Sequence, residues 1–153
     1  MIDLSGHWMQ MALKEARLAF DEGEVPVGAV VVMDGILLGR GHNRNKALHD
    51  PTAHAEMLAI TAACETAGEA RLDGADLYVT LEPCPMCAGA MIWAHIKRLY
   101  YGARDPKTGA CGSVLDIVRE PRLNHRIEVY SGIEADQAGA LLEEFFRKLR
   151  DGE

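Results

Sequence analysis

Two short stretches of this sequence combine an imidazole, two thiols and a carboxylate in an order that suits metal chemistry. Residues 54–56 follow the pattern H-x-E, and residues 83–87 follow the pattern P-C-x-x-C. Zinc is bound in a tetrahedron, and one His nitrogen with two Cys sulfurs fills three of its four corners. We therefore predict that His54, Cys84 and Cys87 bind Zn²⁺.

Glu56 is the fourth polar group of this set, and it is better suited to be a base than a ligand. Structural zinc sites usually close with a fourth protein ligand, whereas catalytic sites leave that position to water. Zinc lowers the pKa of bound water to roughly 7, and a neighbouring carboxylate can move the released proton to a substrate. We predict Glu56 as the catalytic residue.

The spacing within both stretches predicts that each one begins a helix. Cys84 and Cys87 are three residues apart and share one face of a helical turn, and the adjacent prolines suit a helix start. His54 and Glu56 are two apart and do not converge in a regular helix, so His54 is expected at the helix start with Glu56 in the first turn. Two helix N-termini would then point at one metal and favour thiolates.

A C-x-x-C pattern alone has other interpretations, which include a redox motif, half of a structural zinc site and chance. The two prolines, the upstream H-x-E and the order of the two stretches favour the catalytic zinc site.

Length and composition predict one ordinary globular domain over residues 1–153. Hydrophobic residues make up 48% and charged residues 25% of the chain. No apolar run approaches the roughly 20 residues of a membrane span. The stretch from Met1 to Leu4 lacks the basic and then apolar order of a signal peptide. We therefore expect a cytoplasmic protein with no membrane partner.

The net charge of −7 argues against a nucleic-acid partner, because phosphate binding depends on Lys and Arg. An RNA substrate would require a local basic patch, and no DNA partner is expected. The local basic groups are Arg40, Arg44 and Lys46, then Arg104 and Lys107, and finally Arg147, Lys148 and Arg150.

The two cysteines outside the metal pattern are predicted to be reduced thiols. Cys64 lies in an apolar helical pattern and is expected to be a buried small hydrophobe, whereas Cys111 lies in a Gly-rich loop and is expected to be partly exposed.

Hydrophobic periodicity predicts four helices around five strands. The helices cover residues 4–22, 53–68, 87–95 and 134–150, and the strands cover residues 25–33, 36–41, 75–81, 98–102 and 126–131. A further helical turn is expected within residues 114–119. Asp34-Gly35 predicts a two-residue hairpin, and Ser5 is expected to cap the first helix. The apolar face of that helix is expected to include Leu4, Trp8, Met11, Ala12, Leu18 and Ala19. This order predicts a three-layer α/β/α sandwich around a five-stranded mixed sheet.

Asn43 follows the second predicted strand and is a candidate ligand for a base, because its amide can both donate and accept hydrogen bonds. From the residue type alone, an Asn that caps a loop is the more common interpretation.

Seven segments of the sequence resemble bacterial tRNA-specific adenosine deaminases of the cytidine deaminase-like superfamily. These segments are residues 24–30, 50–56, 78–84, 87–92, 102–109, 124–126 and 145–147. The similarity extends over nearly the whole chain. The metal pattern is typical of the superfamily, and residues 102–109 with Phe145-Phe146-Arg147 are typical of the tRNA-specific branch.

This resemblance implies hydrolysis of adenosine to inosine at the wobble position of a tRNA anticodon. Zinc would be held by the three predicted ligands, and Glu56 would move a proton from water to ring nitrogen N1 while hydroxide attacks C6. Asn43 would bind the flipped-out base.

The resemblance also implies contacts further from the reacting base. Asp105 and Lys107 would contact RNA near it, and Phe146 and Arg147 would contact the neighbouring nucleotides. The family is homodimeric, so a second copy of the chain and a tRNA anticodon stem-loop are the expected partners.

Two other functions remain open at this point. A free guanine or cytosine deaminase would use the same zinc and glutamate, and the acidic net charge favours it slightly. A structural zinc domain that binds a partner would leave Glu56 without a role and would want a fourth protein ligand.

Overall fold

The computed structural model describes residues 4–152 and contains five helices, five strands and a 3-10 turn. The helices are α1 Ser5–Asp21, α2 Asn45–Leu48, α3 Ala55–Ala67, α4 Pro85–Ala94 and α5 Ala135–Arg150. The strands are β1 Gly28–Met33, β2 Ile36–His42, β3 Asp76–Leu81, β4 Arg98–Ala103 and β5 Glu128–Tyr130. The 3-10 turn is Ile117–Arg119, within the segment where the sequence predicts a helical turn.

The strands form one mixed sheet with the order β2-β1-β3-β4-β5. β1 is antiparallel to both β2 and β3, whereas β3, β4 and β5 are parallel to one another. Asp34 and Gly35 join β1 to β2, and both have positive φ values, 52° and 74°. This is the backbone of a type I′ turn, so the predicted hairpin is confirmed.

Helices cover both faces of the sheet, which confirms the predicted three-layer architecture. On one face, α1 packs against β1, which contributes Val30 and Val32, and α5 packs against β4 and β3. On the other face, α3 packs against β2 and β1, whose Ala29 and Val31 belong to the same core cluster as residues of α3 and α4. β1 is therefore buried on both sides, as its continuous apolar sequence predicts.

Glycines in the sheet let the helices approach it closely. A Cβ at Gly28 would lie 2.0 Å from the Ala12 carbonyl oxygen of α1. A Cβ at Gly39 would lie 2.5 Å from the Ala63 nitrogen of α3. Because the helix backbones nearly touch the strands, small residues such as Ala16 are completely buried beneath them.

This close packing explains why the predicted apolar face of α1 is only partly confirmed. Ala12 and Ala19 are buried as predicted, and Trp8 and Met11 pack at the margin of the core, but Leu4 and Leu18 are exposed. The other buried residues of the helix are Met9, Leu13, Glu15 and Ala16. The predicted cap is also wrong, because Ser5 is the first helical residue and the N-cap position is Leu4, without a side-chain hydrogen bond.

Helix α2 is a further element that the sequence did not predict. Its backbone N–H groups at Lys46 and Ala47 donate to the carboxylate of Glu24, at 3.1 and 2.9 Å. Glu24 is buried and lies 22 residues upstream of Lys46, so this cap is not a local signal.

The two edges of the sheet differ from its centre. β5 is only three residues long, and Glu128 and Tyr130 are exposed. β2 carries a register shift opposite Val31 and Val32.

None of the helices within residues 4–152 has the length and apolar composition needed to cross a lipid bilayer.

Candidate metal centre and active site

The predicted metal-binding residues lie at the starts of two neighbouring helices. His54 is the N-cap of α3, and Cys84 is the N-cap of α4, with Pro85 in the first position of that helix. Glu56 lies in the first turn of α3, and Cys87 lies in the first turn of α4. These positions confirm the predicted helix starts and bring residues about 30 apart in the chain to one place.

The distances among the three ligand atoms fit a tetrahedral zinc ion. Nδ1 of His54 lies 3.6 Å from Sγ of Cys84 and 3.4 Å from Sγ of Cys87. With zinc bonds of about 2.0 Å to nitrogen and 2.3 Å to sulfur, a tetrahedron has an N···S edge of about 3.5 Å. These three residues form the group among residues 4–152 whose ligand atoms all lie within 4.8 Å of one another.

Proximity changes the protonation of these groups. The hydrogen bond from Cys87 lowers the pKa of Cys84 to about 4, and His54 adds to this effect. The interaction with Cys84 raises the pKa of His54, while the nearby Cys84 sulfur and burial raise that of Cys87. These contacts therefore favour the thiolate form of Cys84, which is the form that binds a metal.

Glu56 is almost completely buried beside this cluster, with 4% of its surface exposed. Burial raises its pKa to about 7, although the His54 imidazole opposes the shift. A carboxyl group with a near-neutral pKa can accept and release a proton at physiological pH.

Asn43 is also buried, and its amide has a defined orientation. Oδ1 accepts a hydrogen bond of 2.8 Å from the backbone N–H of Ala55, in the first turn of α3. Asn43 therefore caps this helix, and its side chain also lines the cleft above the metal cluster. Among residues 4–152, Nδ2 has no protein acceptor, so it is free to donate to a ligand.

The cleft above the cluster has a volume of about 320 Å³. Its walls bring together most of the predicted site residues and two residues of a loop that follows β4. The lining residues include Asn43, His54, Glu56, Cys84, Asp105 and Thr108.

Asp105 lies at this cleft, but its carboxylate is occupied within its own loop. It accepts hydrogen bonds from the backbone N–H groups of Lys107 and Thr108 and from the Thr108 hydroxyl. Burial alone would raise the pKa of Asp105, but these hydrogen bonds outweigh it and lower the pKa. The contact between Asp105 and RNA remains a prediction. The structure adds a second role for Asp105, which is to hold its own loop in shape.

Glu82 is a buried carboxylate at the site whose importance the sequence analysis missed. It lies directly after β3 and before Pro83, and only 2% of its surface is exposed. Burial favours its neutral form, but hydrogen bonds from Ser113, Asp105 and Cys111 lower its pKa. Its proximity to the metal pattern was visible in the sequence, but no local pattern indicated its partners.

A second groove continues from the cleft towards α5. Arg104, Lys107 and Phe146 all line this groove. Phe146 is 50% exposed, whereas Arg147 lies on an adjoining surface of α5. The structure thus places Lys107 and Phe146 in the groove beside the cleft, whereas Arg147 lines a different surface of α5.

Most other basic side chains are close to carboxylates. Arg40, Arg44 and Lys148 lie 4.0, 3.8 and 3.8 Å from Glu15, Glu22 and Glu144, respectively. Arg104 and Lys107, by contrast, have no carboxylate within 4.0 Å in the described part of the chain. The groove beside the cleft therefore carries two cations that are not held in close ion pairs, although the Asp105 carboxylate lines the same groove.

The two remaining cysteines differ from expectation. Cys111 is buried, because its loop folds back onto Glu82, so its predicted partial exposure is wrong. Cys64 is only partly buried and packs at the margin of the core.

Comparison with known proteins agrees with this site and fold. The family model for MafB19-like deaminases matches residues 5–150. A tRNA-specific adenosine deaminase from Agrobacterium fabrum is 51% identical over 144 residues, which cover 94% of this chain and 95% of that protein.

Solved structures show the same similarity. One from a study of A-to-I editing by tRNA:A34 deaminases at the wobble position of transfer RNA has a TM-score of 0.86 at 51% identity, over 89% of this chain and 99% of that chain. A guanine deaminase from Nitrosomonas europaea has a TM-score of 0.76 at 30% identity, over 92% and 83% of the two chains.

The mixed sheet, the paired helix starts and the His/Cys/Cys cluster beside a buried glutamate define a deaminase of the cytidine deaminase-like fold. Within that class, the family is shown by the 51% sequence identity to the Agrobacterium fabrum protein over nearly the full length of both chains. The chain belongs to the tRNA-specific adenosine deaminase family.

Proposed function

We propose that this protein hydrolyses adenosine to inosine at the wobble position of a tRNA anticodon. The observation that carries this proposal is the combination of the metal cluster and Glu56 with an adjoining groove that is lined by Arg104 and Lys107, neither of which is in a close ion pair within the described residues. A free nucleobase needs only the cleft, whereas an anticodon loop also needs a path for its phosphates.

His54, Cys84 and Cys87 would hold Zn²⁺, which supplies Lewis-acid activation of water at neutral pH. Glu56 takes a proton from water and delivers it to ring nitrogen N1. Oxygen then bonds to C6, Glu56 moves the remaining proton from that oxygen to the amino nitrogen, and the bond from C6 to this nitrogen breaks to release ammonia. The near-neutral pKa of Glu56, about 7, suits this exchange in both directions.

Asn43 and Phe146 hold the substrate in this proposal. Oδ1 of Asn43 is fixed by Ala55, so Nδ2 donates to an acceptor on the purine. Phe146 exposes its ring beside the groove and can stack on an unpaired base. An anticodon loop offers such bases already unpaired, which lowers the cost of moving adenosine into the cleft.

The direct test uses an anticodon stem-loop with adenosine at the wobble position. We expect conversion to inosine by the zinc-loaded protein and no conversion when the same adenosine is paired within a duplex. Free guanine, cytosine and adenosine are assayed in parallel. Ammonia release from a free base without inosine formation in the stem-loop would favour the alternative of a nucleobase deaminase.

Lys107→Ala is expected to weaken stem-loop binding because it removes a cation from the groove beside the cleft. The slope of log Kd against log salt should decrease by about 0.7, the value for one phosphate contact on a single strand. Lys14→Ala, on an exposed position of α1, is the matched control and should leave the slope unchanged. An unchanged slope for Lys107→Ala would remove this residue from the RNA-binding surface.

We also propose that the protein is a homodimer, as the family resemblance implies. Trp93 near the end of α4 is 84% exposed and borders an apolar groove with Ile92, Leu123 and His125. Exposed aromatic residues on an apolar patch are typical of protein interfaces. A second copy of this chain is the occupant that we assign to this face.

Trp93→Glu is therefore expected to convert the protein to a monomer. Light scattering after size exclusion should give twice the chain mass of 16.7 kDa for the unaltered protein and the single mass for the variant. Ile36→Glu changes another exposed apolar residue, at the β1–β2 hairpin, and should remain dimeric. A dimeric Trp93→Glu protein would place the interface elsewhere.

A further inference from the structure

Glu82 joins the metal-binding segment to the loop of residues 105–113. Its Oε1 accepts hydrogen bonds from the backbone N–H of Asp105, at 3.1 Å, and from the Ser113 hydroxyl. Its Oε2 accepts from the backbone N–H groups of Cys111 and Ser113, both at 3.0 Å. One carboxylate thus holds both ends of the loop.

The charge on Glu82 is balanced by hydrogen bonds and not by an ion pair. Within residues 4–152, no Lys, Arg or His nitrogen lies within 4.0 Å of its carboxylate. A buried carboxylate is costly unless its lone pairs are satisfied, and here four donors point at its two oxygens. The arrangement therefore depends on the loop being wrapped around Glu82.

The loop packs so closely against Glu82 that it cannot bind this carboxylate in a different position. A Cβ on Gly109 would lie 2.4 Å from the carboxyl carbon of Glu82. The backbone N–H of Ala110 also donates to the carbonyl oxygen of Pro83, at 2.8 Å. The loop is thereby fixed to the two residues that directly precede Cys84.

The same loop supplies the substrate-facing side of the site. Asp105 and Thr108 line the cleft with Glu56, and Lys107 lines the adjoining groove together with Phe146. A shift of this loop would move those groups relative to the metal cluster, and small displacements of binding groups cost much of an enzyme's efficiency.

We propose that Glu82 is a positioning residue that sets the location of the substrate-binding loop relative to the metal-binding segment. It acts through the hydrogen bonds that Asp105, Cys111 and Ser113 donate to its carboxylate at the edge of the cleft. This inference rests on the proposed function for its kinetic consequence, whereas its structural consequence is independent of the substrate.

Glu82→Gln tests this role because it keeps the shape of the side chain and replaces one acceptor oxygen with a donor. Two of the four loop donors then meet an NH₂ group, so one end of the loop is released. Trypsin cleavage after Lys107, which needs local opening of the loop, is expected to accelerate about tenfold. Zinc content should stay at the level of the unaltered protein.

In stem-loop kinetics, Glu82→Gln should raise KM about tenfold and change kcat less, because the binding surface moves while the metal and Glu56 stay in place. Glu69→Gln, at an exposed glutamate, is the matched control and should alter neither measurement. Ser113→Ala removes only one donor, so it should give an intermediate change in both measurements even if Glu82→Gln fails to fold.

Unchanged trypsin cleavage and unchanged KM in Ser113→Ala would overturn the proposal. Loss of zinc from Glu82→Gln with the loop still protected would also overturn it, because Glu82 would then support the metal segment alone. If the unaltered protein makes no inosine, the proposed function fails, while the trypsin comparison still decides the role of Glu82.

Discussion

Glu56→Gln is expected to lower the rate of inosine formation by about three orders of magnitude, within the range typical of a lost acid–base residue. Gln has the same shape as Glu but cannot take a proton from water or deliver one to N1. Because Glu56 is not one of the three predicted ligands, zinc should remain bound. The measurements are single-turnover inosine formation and metal content by mass spectrometry.

Glu65→Gln is the matched control, because it lies on the exposed side of the same helix and should keep full activity. Inosine formation at the unaltered rate by Glu56→Gln would show that another group moves the proton. Loss of zinc from this variant would instead show that the glutamate is needed to bind the metal.

The raised pKa of Glu56 also predicts how the metal-free protein responds to pH. Burial raises the pKa from 4.5 to about 7 in the folded protein, so the unfolded chain releases this proton first. Stability should therefore fall as pH rises from 4.5 to 7, by up to about 3 kcal/mol. Above pH 7, metal-free Glu56→Gln should unfold at a higher urea concentration than the unaltered protein, and equal midpoints would contradict this.

Cys87→Ser is expected to abolish zinc binding and, with it, detectable inosine formation. A hydroxyl group is a poor zinc ligand compared with a thiolate, and Cys87 is completely buried, so no other side chain can easily replace it. Metal content should fall from about one ion per chain to near zero.

The same variant should lose the stabilisation that zinc gives to the folded chain. A metal present at 1,000 times its Kd stabilises by about 4 kcal/mol, so added zinc should raise the melting temperature of the unaltered protein and not that of Cys87→Ser. Cys64→Ala changes a cysteine outside the cluster and should respond to zinc normally. A zinc-dependent rise in Cys87→Ser would exclude this residue as a ligand.

The sequence was sufficient to predict the succession of strands and helices along the chain. It was not sufficient to predict how closely the helices approach the sheet. The Asp34-Gly35 turn and the helix starts at His54 and Cys84 are local patterns, and all three are found as predicted. In α1, Ala12 and Ala19 are buried as predicted, but Leu4 and Leu18 were wrongly placed on the buried face. Only the glycines of β1 and β2 show that the helices lie so close that small residues form the interface.

The parts of the site that escaped prediction depend on distant partners. Glu24 caps α2, and Glu82 holds a loop that follows it by more than 20 residues. A charged residue in a sequence normally indicates an exposed position, and only the donors collected around each carboxylate make its burial possible. The zinc and substrate roles of the individual residues, and the single-domain organisation, stay predictions that the experiments above address.

The short outer strands have a consequence for how the protein avoids aggregation. An open sheet edge offers unpaired backbone groups to other chains, and long flat edges promote strand-to-strand aggregation. β5 offers only three residues, and its Glu128 lies 3.5 Å from Arg98, while the bulge opposite Val31 and Val32 distorts the other edge. Self-association by strand addition is thus disfavoured at both ends of the sheet.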